Sequence, residues 1–130
     1  MRTLHLAGPP VALACVIFFL SSQSISAPST VVFADKFAHL AVFGLLGLLT
    51  ARWVRGDSRY GGSGWCVVSI AVLLAGIFGV TDEVHQAFTP GREPDIVDAW
   101  CDLTGAVIGA SAAVVLYRWW ETMRRSLEVD

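Results

Sequence analysis

The sequence predicts an all-α membrane protein, a four-transmembrane-helix bundle with both termini in the cytoplasm. Three observations carry that expectation. The 130 residues are 55% hydrophobic and 15% charged, with a mean hydropathy of +0.61, whereas a soluble domain carries about 25% charged residues. The apolar residues come in blocks of membrane-spanning length, with no alternating or 3.6-residue pattern. A charged cluster, Asp82, Glu83, Arg92, Glu93, Asp95, Asp98 and Asp102, lies in TDEVHQAFTPGREPDIVDAWCD, flanked by the apolar runs Trp65–Val80 and Leu103–Trp120. An ionisable group near the apolar layer costs roughly 2–4 kcal/mol unless it is paired or solvated. That stretch therefore reads as a polar site at one face of the bundle.

The first span is expected at about 4–22, with the apolar core Val11–Leu20. Its short core and the small residues Ser24, Ser26 and Ala27 fit a cleaved signal peptide. A retained helix is the preferred reading: Leu4–Ala7 join it and Pro9-Pro10 sit in its first turns, where missing N–H groups cost little. The serine-rich stretch through Thr30 reads as a loop. The second span is expected at 35–53, with Asp35 as N-cap and His39 four residues on, hence on the same face. It ends at Arg52-Trp53-Val54-Arg55, and GDSRYGGSG follows as a flexible connector.

The third span is expected at 65–88. At 1.5 Å per residue Asp82 lies roughly 25 Å above Trp65, so Asp82, Glu83, His85 and Gln86 fall at headgroup depth. TPGREP contains a Pro90-Gly91 turn. The fourth span, 95–120, begins after Pro94 with Asp95 as its cap. Asp95, Asp98 and Asp102 are spaced i, i+3, i+7 and share a face, which Gly105 and Gly109 continue as a GxxxG pair suited to close helix approach. Trp119 and Trp120 fit an interfacial aromatic belt. Cys15, Cys66 and Cys101 all lie in apolar segments; their number and placement make neither a disulfide framework nor a zinc site, and they read as small apolar fillers.

Orientation follows from the basic residues. Arg2, Arg52, Arg55, Arg59, Arg118, Arg124 and Arg125 fall on one side of a four-span chain, Lys36 and Arg92 on the other, so the positive-inside rule puts both termini in the cytoplasm. The end of span 1, the start of span 2, the end of span 3 and the start of span 4 then meet at the outer face. That layer gathers Ser21, Ser22, Gln23, Asp35, His39, His85 and Gln86 with seven acids (Asp35, Asp82, Glu83, Glu93, Asp95, Asp98, Asp102) against Lys36 and Arg92. Carboxylates packed at low dielectric repel, so some must be protonated or a cation, such as a divalent metal, must sit among them.

His39, Asp82 and Asp98 are the residues expected to carry any chemistry. An imidazole oriented by a carboxylate serves as general base or metal ligand. Asp82 lies near a helix C-terminus, where negative charge is unfavourable, so it needs a partner, for which Arg92 or Lys36 would serve. Arg92 either clamps the turn by pairing with Asp82 or Glu83, or recognises a phosphate or carboxylate as a planar fork. Glu83, Gln86, Lys36 and Asp102 complete the expected binding surface. No basic stripe suits nucleic acid, and no phosphate-cradling loop, nucleophile elbow, HExxH or zinc-spaced cysteine pair is present.

At these residues the chain resembles the VanZ-like family of small bacterial membrane proteins. DKFAHLAVFGLLG matches the family's aspartate and histidine at Asp35 and His39. TDEVHQAFTPGREPDIVDAWCDLTGAVIG matches Asp-Glu-x-x-Gln-x-Phe-x-Pro-x-Arg at Asp82, Glu83, Gln86, Phe88, Pro90 and Arg92, then Asp98 and Gly105. The family's asparagine position holds Asp102, an added negative charge. The resemblance runs from about Ser21 to Gly109 and favours a retained first helix. It implies a multi-pass protein of the bacterial plasma membrane acting at the cell envelope; the founding member lowers susceptibility to the glycopeptide teicoplanin. The partner implied, beside the lipid bilayer, is a lipid-linked or peptidoglycan-related precursor or a glycopeptide-related ligand. A non-catalytic protein whose polar layer fixes helix packing is the alternative. A proton or cation path ranks last, because Ala41–Leu49 and Ala106–Leu116 offer almost no polar groups.

Overall fold

A computed structural model describes residues 2–24, 32–57, 62–92 and 94–128. The chain forms four helices: α1 (Arg2–Ser21), α2 (Val32–Gly56), α3 (Gly64–Gln86) and α4 (Ile96–Leu127), with no strand among the described residues. Most of the serine-rich loop, residues 58–61 of the glycine-rich connector, and Glu93 lie outside them. Three helices are long and apolar enough to cross a membrane, at Ala34–Gly56, Gly64–Gln86 and Ile96–Leu127; α1 contributes the shorter apolar stretch His5–Ser21.

The ends of the helices differ from the expected spans for local reasons. Asp35 is not an N-cap: α2 begins at Val32, and Asp35 falls in its first turn, where the helix dipole still favours an acid. Pro9 and Pro10 lie inside α1, about two turns from its start, because residues 2–8 are helical as well. The third helix is capped by Ser63, whose hydroxyl accepts from Cys66 N–H, and ends at Gln86, two residues early. The fourth is capped by Asp95, as expected, through a 2.8 Å bond from Val97 N–H. It continues seven residues beyond Trp120, since WETMRRSL contains no glycine or proline to stop it. At 1.5 Å per residue it is about 48 Å long, more than the roughly 30 Å hydrocarbon layer requires.

Small residues set the packing. The most extensive interface is between α2 and α4, and it is glycine against glycine. A Cβ on Gly105 would stand 2.9 Å from Gly44 N, and one on Gly109 2.7 Å from the Gly44 carbonyl carbon. From α2, a Cβ on Gly47 would come within 2.7 Å of Ala106 Cα. The GxxxG pair of α4 thus works as expected, with Gly44 and Gly47 as its counterpart. The next largest interfaces are α3 against α4 and then α2, and α1 packs on α2 and α3.

Burial is inverted relative to a soluble protein. Asp82 and Asp102 are among the largest fully buried side chains, whereas Phe19, Leu73, Ile77, Val84, Ile108 and Val115 are exposed. An apolar exterior of this extent needs an apolar solvent or partner. Cys15 and Cys66 belong to that exterior and Cys101 is half-buried, so none is a core filler. The helices run up and down. Ser21 at the end of α1 meets Asp82 near the end of α3, and Lys36 at the start of α2 meets Asp95 at the start of α4. At the opposite end, Leu6 packs near Gly56, and Arg55 stacks 3.6 Å over the Tyr117 ring and reaches Glu121.

Candidate functional site

The polar end is built on the first two turns of α4. Asp95, Asp98 and Asp102 follow one face, and that face is turned to α2 by the glycine contact one turn further on. Lys36 of α2 enters between the first two, with Nζ 2.5 Å from Asp95 Oδ2 and 2.5 Å from Asp98 Oδ1. The Lys36 ammonium holds the half-exposed Asp95 carboxyl below the usual carboxylate range. One turn deeper, His39 Nδ1 lies 2.9 Å from Asp102 Oδ1, and its Nε2 is 4.0 Å from Asp98 Oδ2. Asp102 is 2% exposed, so the imidazole is oriented by a carboxylate held out of water. That arrangement suits proton transfer or metal ligation.

Two residues from α3 face this line. Glu83 accepts the Asp95 backbone N–H at 3.0 Å through Oε2, tying the end of α3 to the cap of α4. Gly79 leaves room for Asp102: a Cβ there would stand 3.3 Å from Asp102 Oδ2 and 3.1 Å from the Phe43 ring. Two sets of side chains bring three potential ligand atoms within 4.8 Å of one another, Asp35–His39–Asp98 and His39–Glu83–Asp102.

Asp82 belongs to a neighbouring network. Its carboxylate accepts from Ser21 Oγ at 2.6 Å and from Gln86 Nε2 at 3.0 Å. It is satisfied by neutral donors, with neither Arg92 nor Lys36 as its partner: α1 fills the position the sequence reading left to a cation. Gln86, expected on the binding surface, serves to hold Asp82. Beside them His85 Nε2 and Ser22 Oγ are 2.9 Å apart, and the His85 ring stacks on Phe18 with centroids 4.2 Å apart. Arg92 does not clamp the turn through Asp82 or Glu83. Its Nε donates to the Gln23 carbonyl at 3.4 Å, and it makes no ion pair among the described residues.

Arg92, Asp35, His39, Asp82 and Gln86 line a cleft of about 160 Å³ walled by Ile17, Leu20 and Val42. A larger apolar groove of about 780 Å³ between α3 and α4 reaches Asp102 from the other side. The structure thus brings His39, Asp98, Asp102, Glu83 and Lys36 into one cluster and sets Asp82 and Gln86 beside it. Two contributors went unread in the sequence, Ser21 as the donor to Asp82 and Gly79 as the space beside Asp102. The serine signal was present in Ser-Ser-Gln-Ser; nothing in the local pattern around Gly79 distinguishes it from Gly76.

A sequence model of the family described as VanZ/LLP1 matches residues 9–119. No curated protein and no solved structure matches the chain.

Proposed function

Because the chain belongs to the VanZ/LLP1 family, we propose that it is a VanZ-like protein of the bacterial plasma membrane, acting at the cell envelope on a lipid-linked or peptidoglycan-related partner. In this reading α1 is the fourth span, about 30 Å long for its 20 residues. The basic residues at the opposite end keep both termini in the cytoplasm, and the acidic and histidine-bearing layer faces outward. Residues 1–130 then form one single transmembrane domain.

The observation that carries the proposal is the cleft shared by Arg92 and His39. An arginine that makes no ion pair among the described residues, beside a carboxylate-oriented imidazole and between apolar walls, suits the anionic head of a lipid-linked molecule whose tail stays in the bilayer. His39, Asp82 and Asp98 are the groups assigned to act on or hold that head, with Arg92, Glu83, Gln86, Lys36 and Asp102 shaping the surface around it. The test is teicoplanin susceptibility of a susceptible bacterium expressing the chain. The inhibitory concentration rises with the wild type and returns to the vector level in Arg92→Gln and Asp98→Asn, at unchanged membrane abundance. Full protection by both variants overturns the assignment.

The internal pairing of Ser21, Asp82 and Gln86 favours a second reading, in which the polar layer only fixes helix packing and a partner protein carries the function. Under it, the same substitutions lower membrane abundance in step with protection.

A further inference from the structure

Two carboxylate oxygens in the cluster have no hydrogen-bond partner among the described residues. They are Glu83 Oε1 and Asp102 Oδ2, both shut off from solvent. Both side chains belong to well-buried residues, 9% and 2% exposed. Their other oxygens are accounted for by the Asp95 N–H and by His39. A protein interior rarely leaves anionic oxygens bare, because the lost hydration must be replaced by donors or by positive charge. Lys36 does not supply that charge, since its ammonium is already shared between Asp95 and Asp98.

The bare oxygens sit with an imidazole. One ring nitrogen of His39 and one oxygen from each of Glu83 and Asp102 lie within 4.8 Å of one another. Each ligand comes from a different helix, so the geometry is set by the tightly packed body of the bundle and not by a loop. The missing side chain at Gly79 preserves the space beside Asp102 Oδ2.

We propose that His39, Glu83 and Asp102 bind one divalent first-row metal ion, Mn²⁺ or Zn²⁺. Two carboxylates need two positive charges, and an imidazole in the set selects these ions over Mg²⁺ and Ca²⁺, which prefer oxygen alone. Three protein ligands leave coordination positions open. Around them, the Asp95 N–H orients Glu83, the kind of outer support that ligating side chains need. The alternative set, Asp35–His39–Asp98, shares the histidine, but Asp98 already carries the Lys36 ion pair. The site does not depend on the envelope role: metal binding is read on purified protein, and drug susceptibility in cells.

The experiment uses the full chain in detergent, with its purification tag removed and bound metal stripped by chelation. MnCl₂ and ZnCl₂ are titrated calorimetrically, and retained metal is counted by mass spectrometry after desalting. The wild type binds about one ion per chain. Glu83→Gln and Asp102→Asn each weaken binding by at least roughly 100-fold, while Asp35→Asn binds like the wild type. In Glu83→Gln the amide oxygen still accepts the Asp95 N–H, so a fold change does not account for the loss; a wild-type helical spectrum and a single gel-filtration peak confirm this. A wild type that binds neither ion overturns the proposal, whatever the variants do. So does wild-type affinity in both ligand variants, or loss of the ion in Asp35→Asn with retention in Glu83→Gln.

Discussion

Replacing Gly109 by alanine adds one methyl group at the point where α2 and α4 touch. The new Cβ would overlap the Gly44 carbonyl oxygen and stand 2.7 Å from its carbon and 3.0 Å from Leu48 N. All are backbone atoms, so no rotamer change relieves the contact. Carbon atoms rest at about 3.5–4.0 Å, so the helices must part by roughly 1 Å, forfeiting a quarter to a half of the dispersion energy of the contacts around the site. Overpacking of this kind costs about 1–3 kcal/mol, a fall of roughly 5- to 150-fold in the folded ratio. The same displacement reaches the site two turns away, where the 2.9 Å contact of His39 with Asp102 bridges the same two helices. Stretched by most of an ångström, it leaves hydrogen-bonding range. The assay is reversible unfolding of the purified protein in a detergent–SDS titration, followed by tryptophan fluorescence, with Gly8→Ala as control. A Cβ at Gly8 meets nothing within 4 Å, so that variant stays within about 0.5 kcal/mol of the wild type. A Gly109→Ala protein as stable as the control would refute glycine-mediated approach of α2 and α4.

Two further outcomes follow from the polar contacts. Ser21→Ala removes a donor from Asp82, which is 1% exposed, and costs about 1–3 kcal/mol in the same titration; unchanged stability would show that α1 does not close over Asp82. Lys36→Met strands Asp98. Because a fifth of the lysine side chain is exposed, the loss is about 1–3 kcal/mol rather than the 3–5 of a fully buried pair, and Lys36→Met/Asp98→Leu recovers most of it; equal losses in the single and double variants would rule out the ion pair as the cause.

Much of the site was legible before any coordinates, because it depends on topology. Helices of membrane length that alternate in direction must bring Ser21, Lys36, Asp82 and Asp95 to one end, however far apart they lie in the chain. The i, i+3, i+7 spacing of Asp95, Asp98 and Asp102 placed them on one face, and Gly105 and Gly109 on the same face indicated that a neighbour would come close. The pairing was not legible. A sequence gives the depth of a residue along a helix but not the rotation of that helix against its neighbours, and rotation chooses between partners at equal depth. Asp82 and Glu83 are adjacent in α3 and differ by about 100° around its axis. That difference sends Asp82 to Ser21 of α1 and Glu83 to the cap of α4, whereas of the two cations offered to Asp82 from charge alone Lys36 went to Asp95 and Asp98 and Arg92 to the Gln23 carbonyl.

The sequence by itself determined that the chain is helical and membrane-bound, and that Asp35, Asp82, Glu83, Asp95, Asp98 and Asp102 gather in one layer, since these follow from apolar block length, chain direction and charge. Only the tertiary structure decided which imidazole meets which carboxylate, and that two buried oxygens have no hydrogen-bond partner among the described residues. Those outcomes depend on how closely the helices approach, which is set where glycine backbones touch, and electrostatic pairing at low dielectric changes steeply over a few ångströms.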